Sequence, residues 1–150
     1  MALKDDTNNA IKEAMKAKDQ ARLRGLRAIK AALLNLESEA GKGAEITQEQ
    51  ELKTLEKLVK QRRDSVAQYK EAGREDLAEK EQEEIDVINE FLPAQLTEDE
   101  LKQELQTLID DLQATGPKDM GRVMKEATVR LVGRAEGKTI SRQVKELLGA

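Results

Sequence analysis

The chain reads as an all-α protein: an N-terminal helical bundle with one long helical hairpin, followed by a small three-helix C-terminal domain. Three observations carry this expectation. Ala, Leu, Glu, Lys, Arg and Gln dominate the 150 residues, and these are the strong helix formers. There is one Phe, one Tyr and no Trp, and β-branched residues are sparse, so a sheet protein is disfavoured. Apolar residues also recur at spacings of three and four along nearly the whole chain, the period of a helix with one buried face.

The first helix is expected from about Leu3 to Lys18, with Ile11, Ala14 and Met15 on one face. A second follows Asp19 and carries Leu23, Leu26, Ile29, Leu33 and Leu36, stopping near Gly41-Lys42-Gly43. Thr47 offers an N-cap hydroxyl to a third helix, whose Leu52, Leu55, Val59, Arg62, Val66 and Tyr69 form a heptad-like seam with one arginine in it. Arg62 is read as snorkelling to solvent or pairing with an acid of the fourth helix; with Arg63 it could alternatively hold a phosphate. Gly73 suits a left-handed cap at the end of this helix.

The fourth helix sets Leu77, Ile85, Ile88 and Leu92 against a crowd of carboxylates and must end at Pro93. Residues 48–92 therefore read as a helical hairpin turning at Ala72-Gly73-Arg74. The domain boundary is placed within Pro93–Leu96, giving an N-terminal domain of residues 1–93 and a C-terminal domain of residues 97–150.

Thr97-Glu98-Asp99-Glu100 has the form of a capping box at the head of the fifth helix, which carries Leu101, Leu105, Leu108, Ile109 and Leu112. Gly116 ends it. Pro117 is expected at the first position of the sixth helix, with Asp119 in its first turn. That helix carries Met120, Val123, Met124, Ala127 and Leu131. After the turn bracketed by Gly133 and Gly137, the last helix carries Ile140, Val144, Leu147 and Leu148.

Charge is layered along the chain. Residues 1–74 hold 16 Lys/Arg against 12 Asp/Glu, residues 75–116 hold 2 against 14, and residues 117–150 hold 8 against 4. In the last segment Lys118, Arg122 and Lys125 are spaced i, i+4, i+7, and Lys138, Arg142 and Lys145 repeat that spacing twenty residues on. Each trio lies roughly opposite its helix's apolar face. An amphipathic helix puts charge there in any case, but here both stripes share one sign.

Several chemistries are disfavoured by composition. There is no Cys and no His, which removes thiolate catalysis, the common general base and the common metal ligand. The serines, Ser38, Ser65 and Ser141, lie in no nucleophile elbow. Gly133-Arg134-Ala135-Glu136-Gly137-Lys138-Thr139 resembles a phosphate-binding loop but has three residues between its glycines where four are needed. The acids Glu79, Glu81, Glu83, Glu84, Asp86 and Glu90 match neither a di-iron nor a calcium pattern. No catalytic residue, cofactor or metal is expected. The N-terminal residues show no apolar h-region and no stretch is long and apolar enough to cross a membrane, so a cytoplasmic protein without a membrane partner is expected.

Five segments together resemble the YqeY family: Gln61-Arg62-Arg63-Asp64-Ser65, Ala72-Gly73-Arg74-Glu75-Asp76-Leu77, Phe91-Leu92-Pro93-Ala94-Gln95-Leu96-Thr97, Asp119-Met120-Gly121-Arg122-Val123-Met124 and Gly133-Arg134-Ala135-Glu136-Gly137-Lys138. The resemblance implies a helical bundle followed by a domain similar to the tail of the B subunit of the tRNA-dependent amidotransferase, which contacts tRNA while kinase and glutaminase chemistry lie elsewhere. It thus implies a non-catalytic module binding tRNA or another structured RNA. Glu136 stands where the family pattern has Asp or Asn, both better helix caps. The expected RNA contacts are Lys118, Gly121, Arg122, Lys125, Arg134, Lys138, Arg142 and Lys145. Gly121 lets a backbone approach closely, or is small for helix packing. Two other readings stay open: a protein-interaction module docking a partner through the acidic stretch 75–116, and an accessory component of a carbon–nitrogen ligase with glutamine as amido donor.

Overall fold

A computed structural model describes residues 2–149. The described chain is all-helical and divides into two compact units, Met1–Pro93 and Ala94–Ala150.

The first unit holds α1 (Ala2–Ala17), α2 (Gln20–Ala40), α3 (Gln48–Glu71) and α4 (Glu75–Asn89). Asp19 caps α2 by accepting from the Arg22 N–H, and Thr47 forms a reciprocal capping box with Gln50 at the head of α3. Gly73, at φ 73°, lets the chain turn from α3 into α4, and the Arg74 N–H closes that turn on the Tyr69 carbonyl at 2.8 Å. The buried residues form two neighbouring clusters. Ile29, Leu33, Leu55, Val59, Ile85 and Ile88 join α2, α3 and α4, whereas Ala14, Leu23, Leu26 and Val87 join α1, α2 and α4. Most of the periodic positions read from the sequence are core positions, with two corrections: Met15, expected on the buried face of α1, is 57% exposed, and on α4 it is Ala78 rather than its half-buried neighbour Leu77 that is buried.

Ion pairs tie α4 to its neighbours. Arg22 meets Glu90, Arg24 meets Glu83 at 2.7 Å, and Arg62 meets Glu84 at 3.6 Å. Arg62 therefore takes the structural course: it also donates to the Leu58 carbonyl, and both members of its pair are largely covered. Burial raises the Glu84 carboxyl above the ordinary range, an effect that the Arg62 charge opposes. Glu51, 8% exposed, is likewise raised by burial.

The second unit holds α5 (Glu98–Asp111), a 3-10 turn (Pro117–Asp119), α6 (Met120–Arg130) and α7 (Gly137–Leu147). The expected capping box forms between Thr97 and Glu100. Leu101, Leu105, Leu108, Ile109, Val123, Ala127, Leu131, Ile140, Val144 and Leu148 make one core. Two expectations are corrected: α5 ends at Asp111, with Gln113 at φ 54° turning the chain well before Gly116, and Pro117 opens the 3-10 turn, with α6 starting only at Met120. The reason for the second lies in Asp119. Its carboxylate accepts from the Thr115 N–H at 2.8 Å and from Arg122 at 3.1 Å, so it latches the preceding loop to α6 and caps nothing. The residues entering this unit are held too. The Leu96 N–H donates to the Arg134 carbonyl at 2.9 Å, and Gln95 Nε2 to the Gly133 carbonyl at 2.5 Å.

Candidate nucleic-acid interface

The amphipathic faces of α6 and α7 decide where the candidate residues point. On α6, Val123 and Ala127 are buried and Gly121, Arg122 and Lys125 are exposed, as is Lys118 in the 3-10 turn before it. Val129, 51% exposed, continues this outer face one turn beyond Lys125. On α7, Ile140, Gln143 and Val144 are buried, and Lys138, Arg142 and Lys145 are exposed. Lys138, Arg142 and Lys145 are therefore a solvent-facing stripe on α7, whereas only Arg122 and Lys125 of the first trio lie on α6, with Lys118 exposed in the 3-10 turn before it. Arg134 is half-buried in the turn before α7, where its charge helps to lower the Glu100 carboxyl, whose main cause is the hydrogen bond from the Thr97 N–H.

The structure separates these cations by residue type. Arg122 is held by Asp119, and Arg142 by Glu98 at 2.5 Å and Glu146 at 3.4 Å. Among the described residues no acid pairs with Lys118, Lys125, Lys138 or Lys145. The guanidinium's planar fork suits carboxylates, and Arg122 and Arg142 are the braced cations. The charge left without an ion pair sits on the four lysines and on half-buried Arg134. The Asp119 carboxyl is lowered chiefly by the Thr115 N–H and then by Arg122, so it stays ionised through the physiological range.

Gly121 is resolved in one respect. A Cβ built on it meets nothing within 4 Å, so packing inside this chain does not demand glycine there. The helix-packing explanation drops out, and an open notch remains beside the basic stripe. The glycine-bracketed run 133–137 is a turn between helices: Gly133 takes φ 78°, and α7 begins at Gly137 with no side-chain cap from Glu136.

Two features escaped the sequence reading. Lys53, Lys57 and Lys60 on α3 are exposed and have the same i, i+4, i+7 spacing, with Lys53 paired to Glu49 at 2.9 Å. Their signal was present in the spacing. The braces Glu98 and Asp119 were also missed. Glu98 lies 44 residues from Arg142, and no local pattern announces that pairing. In the acidic stretch, Glu83, Glu84 and Glu90 are engaged by arginines of α2 and α3, and so are less free than their number suggests.

Comparison with known proteins gives the following. The family described as Yqey-like protein matches residues 4–148. A Pyrenophora tritici-repentis protein named Altered inheritance of mitochondria protein 41, mitochondrial, is 32% identical over 93% of this chain and 77% of its own length. Proteins of the same name from Candida glabrata and Saccharomyces cerevisiae are 35% and 32% identical over 71% and 93% of this chain, which spans 60% and 64% of their lengths. These names contradict the cytoplasmic placement expected above, since the relatives are mitochondrial proteins. That expectation rested on a missing h-region, a test for secretion that carries no information on entry into mitochondria. No helix among the described residues is long and apolar enough to cross a membrane.

Proposed function

This chain belongs to the YqeY family, and from that premise we propose that it is a non-catalytic RNA-binding module whose C-terminal unit holds structured RNA, tRNA foremost, by its phosphate backbone. The observation that carries this reading is the set of unbraced lysines: Lys118 in the 3-10 turn, Lys125 on the outward face of α6, and Lys138 and Lys145 on that of α7. Lysine heads on helix faces reach phosphates without disturbing the core behind them. The notch at Gly121 lets a sugar–phosphate backbone come close to α6 beside Lys125. The resemblance of this segment to the amidotransferase B-subunit tail supports the same choice of ligand.

Recognition on this reading is by charge and shape. With one Phe and one Tyr in the chain, stacking of unpaired bases has little to work with. The acidic residues 75–116 repel RNA that docks in other orientations, so binding is weak and orientation strict. The test is titration of purified protein with tRNA at several salt concentrations. The expected result is salt-sensitive binding that is lost when Lys118, Arg122 and Lys125 are all reversed in charge, with helicity unchanged. Undiminished binding by that variant would rule the surface out and bring forward a protein partner docked on residues 75–116. Co-purification with glutamine-dependent ligase subunits would favour the accessory-component reading.

A further inference from the structure

We propose that Glu98 is a resident competitor of phosphate for Arg142, and so decides which polyanions the α7 face accepts; this rests on the RNA-binding reading above. Arg142 uses both ends of its guanidinium inside the protein. Nη2 meets Glu98 Oε1 at 2.5 Å, and Nη1 meets Glu146 Oε1 at 3.4 Å. The Glu146 contact is an ordinary neighbour along the same helix. The Glu98 contact joins α7 to the first residue of α5.

The main chain of Glu98 is held in place. The next residue of α7, Gln143, is only 5% exposed and donates through Nε2 to the Glu98 main-chain carbonyl at 3.1 Å. Two consecutive residues of α7 therefore grip one residue of α5, one by its side chain and one by its backbone. Thr97 and Glu100 fix the same backbone from the other side through their capping box. The backbone that carries Glu98 is thus fixed within reach of Arg142, although the pair itself is open to solvent.

The chemistry follows from that geometry. A guanidinium paired with a carboxylate offers a polyanion little net charge. Donors remain on the guanidinium, but a phosphate gains the full charge of Arg142 only by displacing Glu98, which is then left unpaired beside the incoming anion. A fixed phosphate aligned with the fork can compensate through two parallel hydrogen bonds. A flexible polyanion has no phosphate fixed there and binds the lysines alone. Glu98 therefore lowers affinity for all polyanions but penalises loosely fitting ones relative to structured RNA. Exposed ion pairs set the scale, at up to about five-fold in affinity.

The test uses the full chain carrying Glu98→Gln, Arg142→Gln, both together, and Asp99→Asn as a charge control on the same helical turn. Each is titrated with tRNA and with single-stranded poly-U across a salt series. The expected results are tighter tRNA binding by E98Q, by up to about five-fold, and a salt slope steeper by up to about one unit. R142Q should cost little in the wild-type background and clearly more in E98Q, and the preference for tRNA over poly-U should narrow in E98Q. D99N should not make Arg142 matter more. Circular dichroism should be the same throughout. If wild type binds tRNA but R142Q costs the same with and without Glu98, the competitor role is overturned. If neither wild type nor E98Q binds tRNA at any salt concentration, the RNA-binding reading itself fails and takes this inference with it.

Discussion

Gly25 of α2 lies so close to Val87 of α4 that a Cβ on Gly25 would stand 2.7 Å from the Val87 Cβ and 2.9 Å from its Cγ1. That separation is shorter than carbon atoms tolerate, so the glycine sets how near the two helices pack. Gly25→Ala is expected to destabilise the N-terminal unit by about 1–3 kcal/mol, as overpacked core substitutions do, despite the better helix propensity of alanine. Val87→Ala should rescue little, because the Val87 Cβ itself is in the way, whereas Val87→Gly should relieve the clash. Chemical denaturation of the single and double variants checks both statements.

Removing positive charge should matter most at the lysines. Changing Lys118, Lys125, Lys138 and Lys145 together to Ala is expected to flatten the slope of log affinity for tRNA against log salt by up to about four units if all four meet phosphates. Changing Arg122 and Arg142 together to Gln should flatten it by less, because both are already neutralised within the protein. Binding isotherms at four or more salt concentrations separate the two sets. Equal slopes for the two variants would contradict the assignment of the unmatched charge to lysines.

Two carboxylates should respond to pH in opposite senses. Asp119 titrates below its ordinary value of 3.8 when folded, so its stabilising effect is fully present above 3.8 and is lost as pH falls through the lowered value. The stability difference between wild type and Asp119→Asn should be flat from neutral pH down to about that point and shrink below it. Glu84 titrates above 4.5 when folded, so the folded state binds its proton more tightly than the unfolded one. The stability of wild type relative to Glu84→Gln should therefore rise as pH falls through the raised value toward 4.5. Denaturation of the two variants and wild type across pH 3–7 gives both curves, and a common sign for the two would be inconsistent with this account.

Limited proteolysis should nick the loop at residues 41–45 before the segment at 93–96. Residues 41–45 are all exposed, with Gly41 and Gly43 at φ 94° and 81°. Gln95 and Leu96, by contrast, are tied to the turn before α7, which leaves little free chain for a protease to draw into its cleft. Mass spectrometry of the first fragments decides the order. Initial cleavage beside Gln95 would mean that these two hydrogen bonds open readily.

What could be read from the sequence divides along a physical line. Leu55, Val59, Ile85 and Ile88 announced themselves because each buried face is written in local spacing, and all four are core residues. The Thr47 and Thr97 caps were legible for the same reason, since each bonds three residues ahead. Arg62 was legible as a residue needing an acid, but Glu84 was one of several candidates on α4. Gly25, Thr7 and Glu98 were not singled out at all. The role of Gly25 is fixed by Val87 on another helix. Thr7 is 1% exposed and tolerates it because its hydroxyl donates back to the Leu3 carbonyl, an apolar-compatible use of a polar residue that hydropathy patterns miss. The candidate interface shows the same divide: the stripes were visible along the chain, whereas the acids that neutralise Arg122 and Arg142 became visible only in three dimensions.

The notch at Gly121 has a practical consequence. The chain has no cysteine, so Gly121→Cys creates a single thiol. That thiol would project from the basic stripe into open space, with no neighbour within 4 Å of its Cβ. A helix-compatible side chain there should leave the fold intact, or strengthen it slightly. One fluorophore attached at that position would report by its own quenching whenever a macromolecule covers α6, whatever that macromolecule proves to be. The residue least needed by the packing is therefore the best place from which to watch the surface at work.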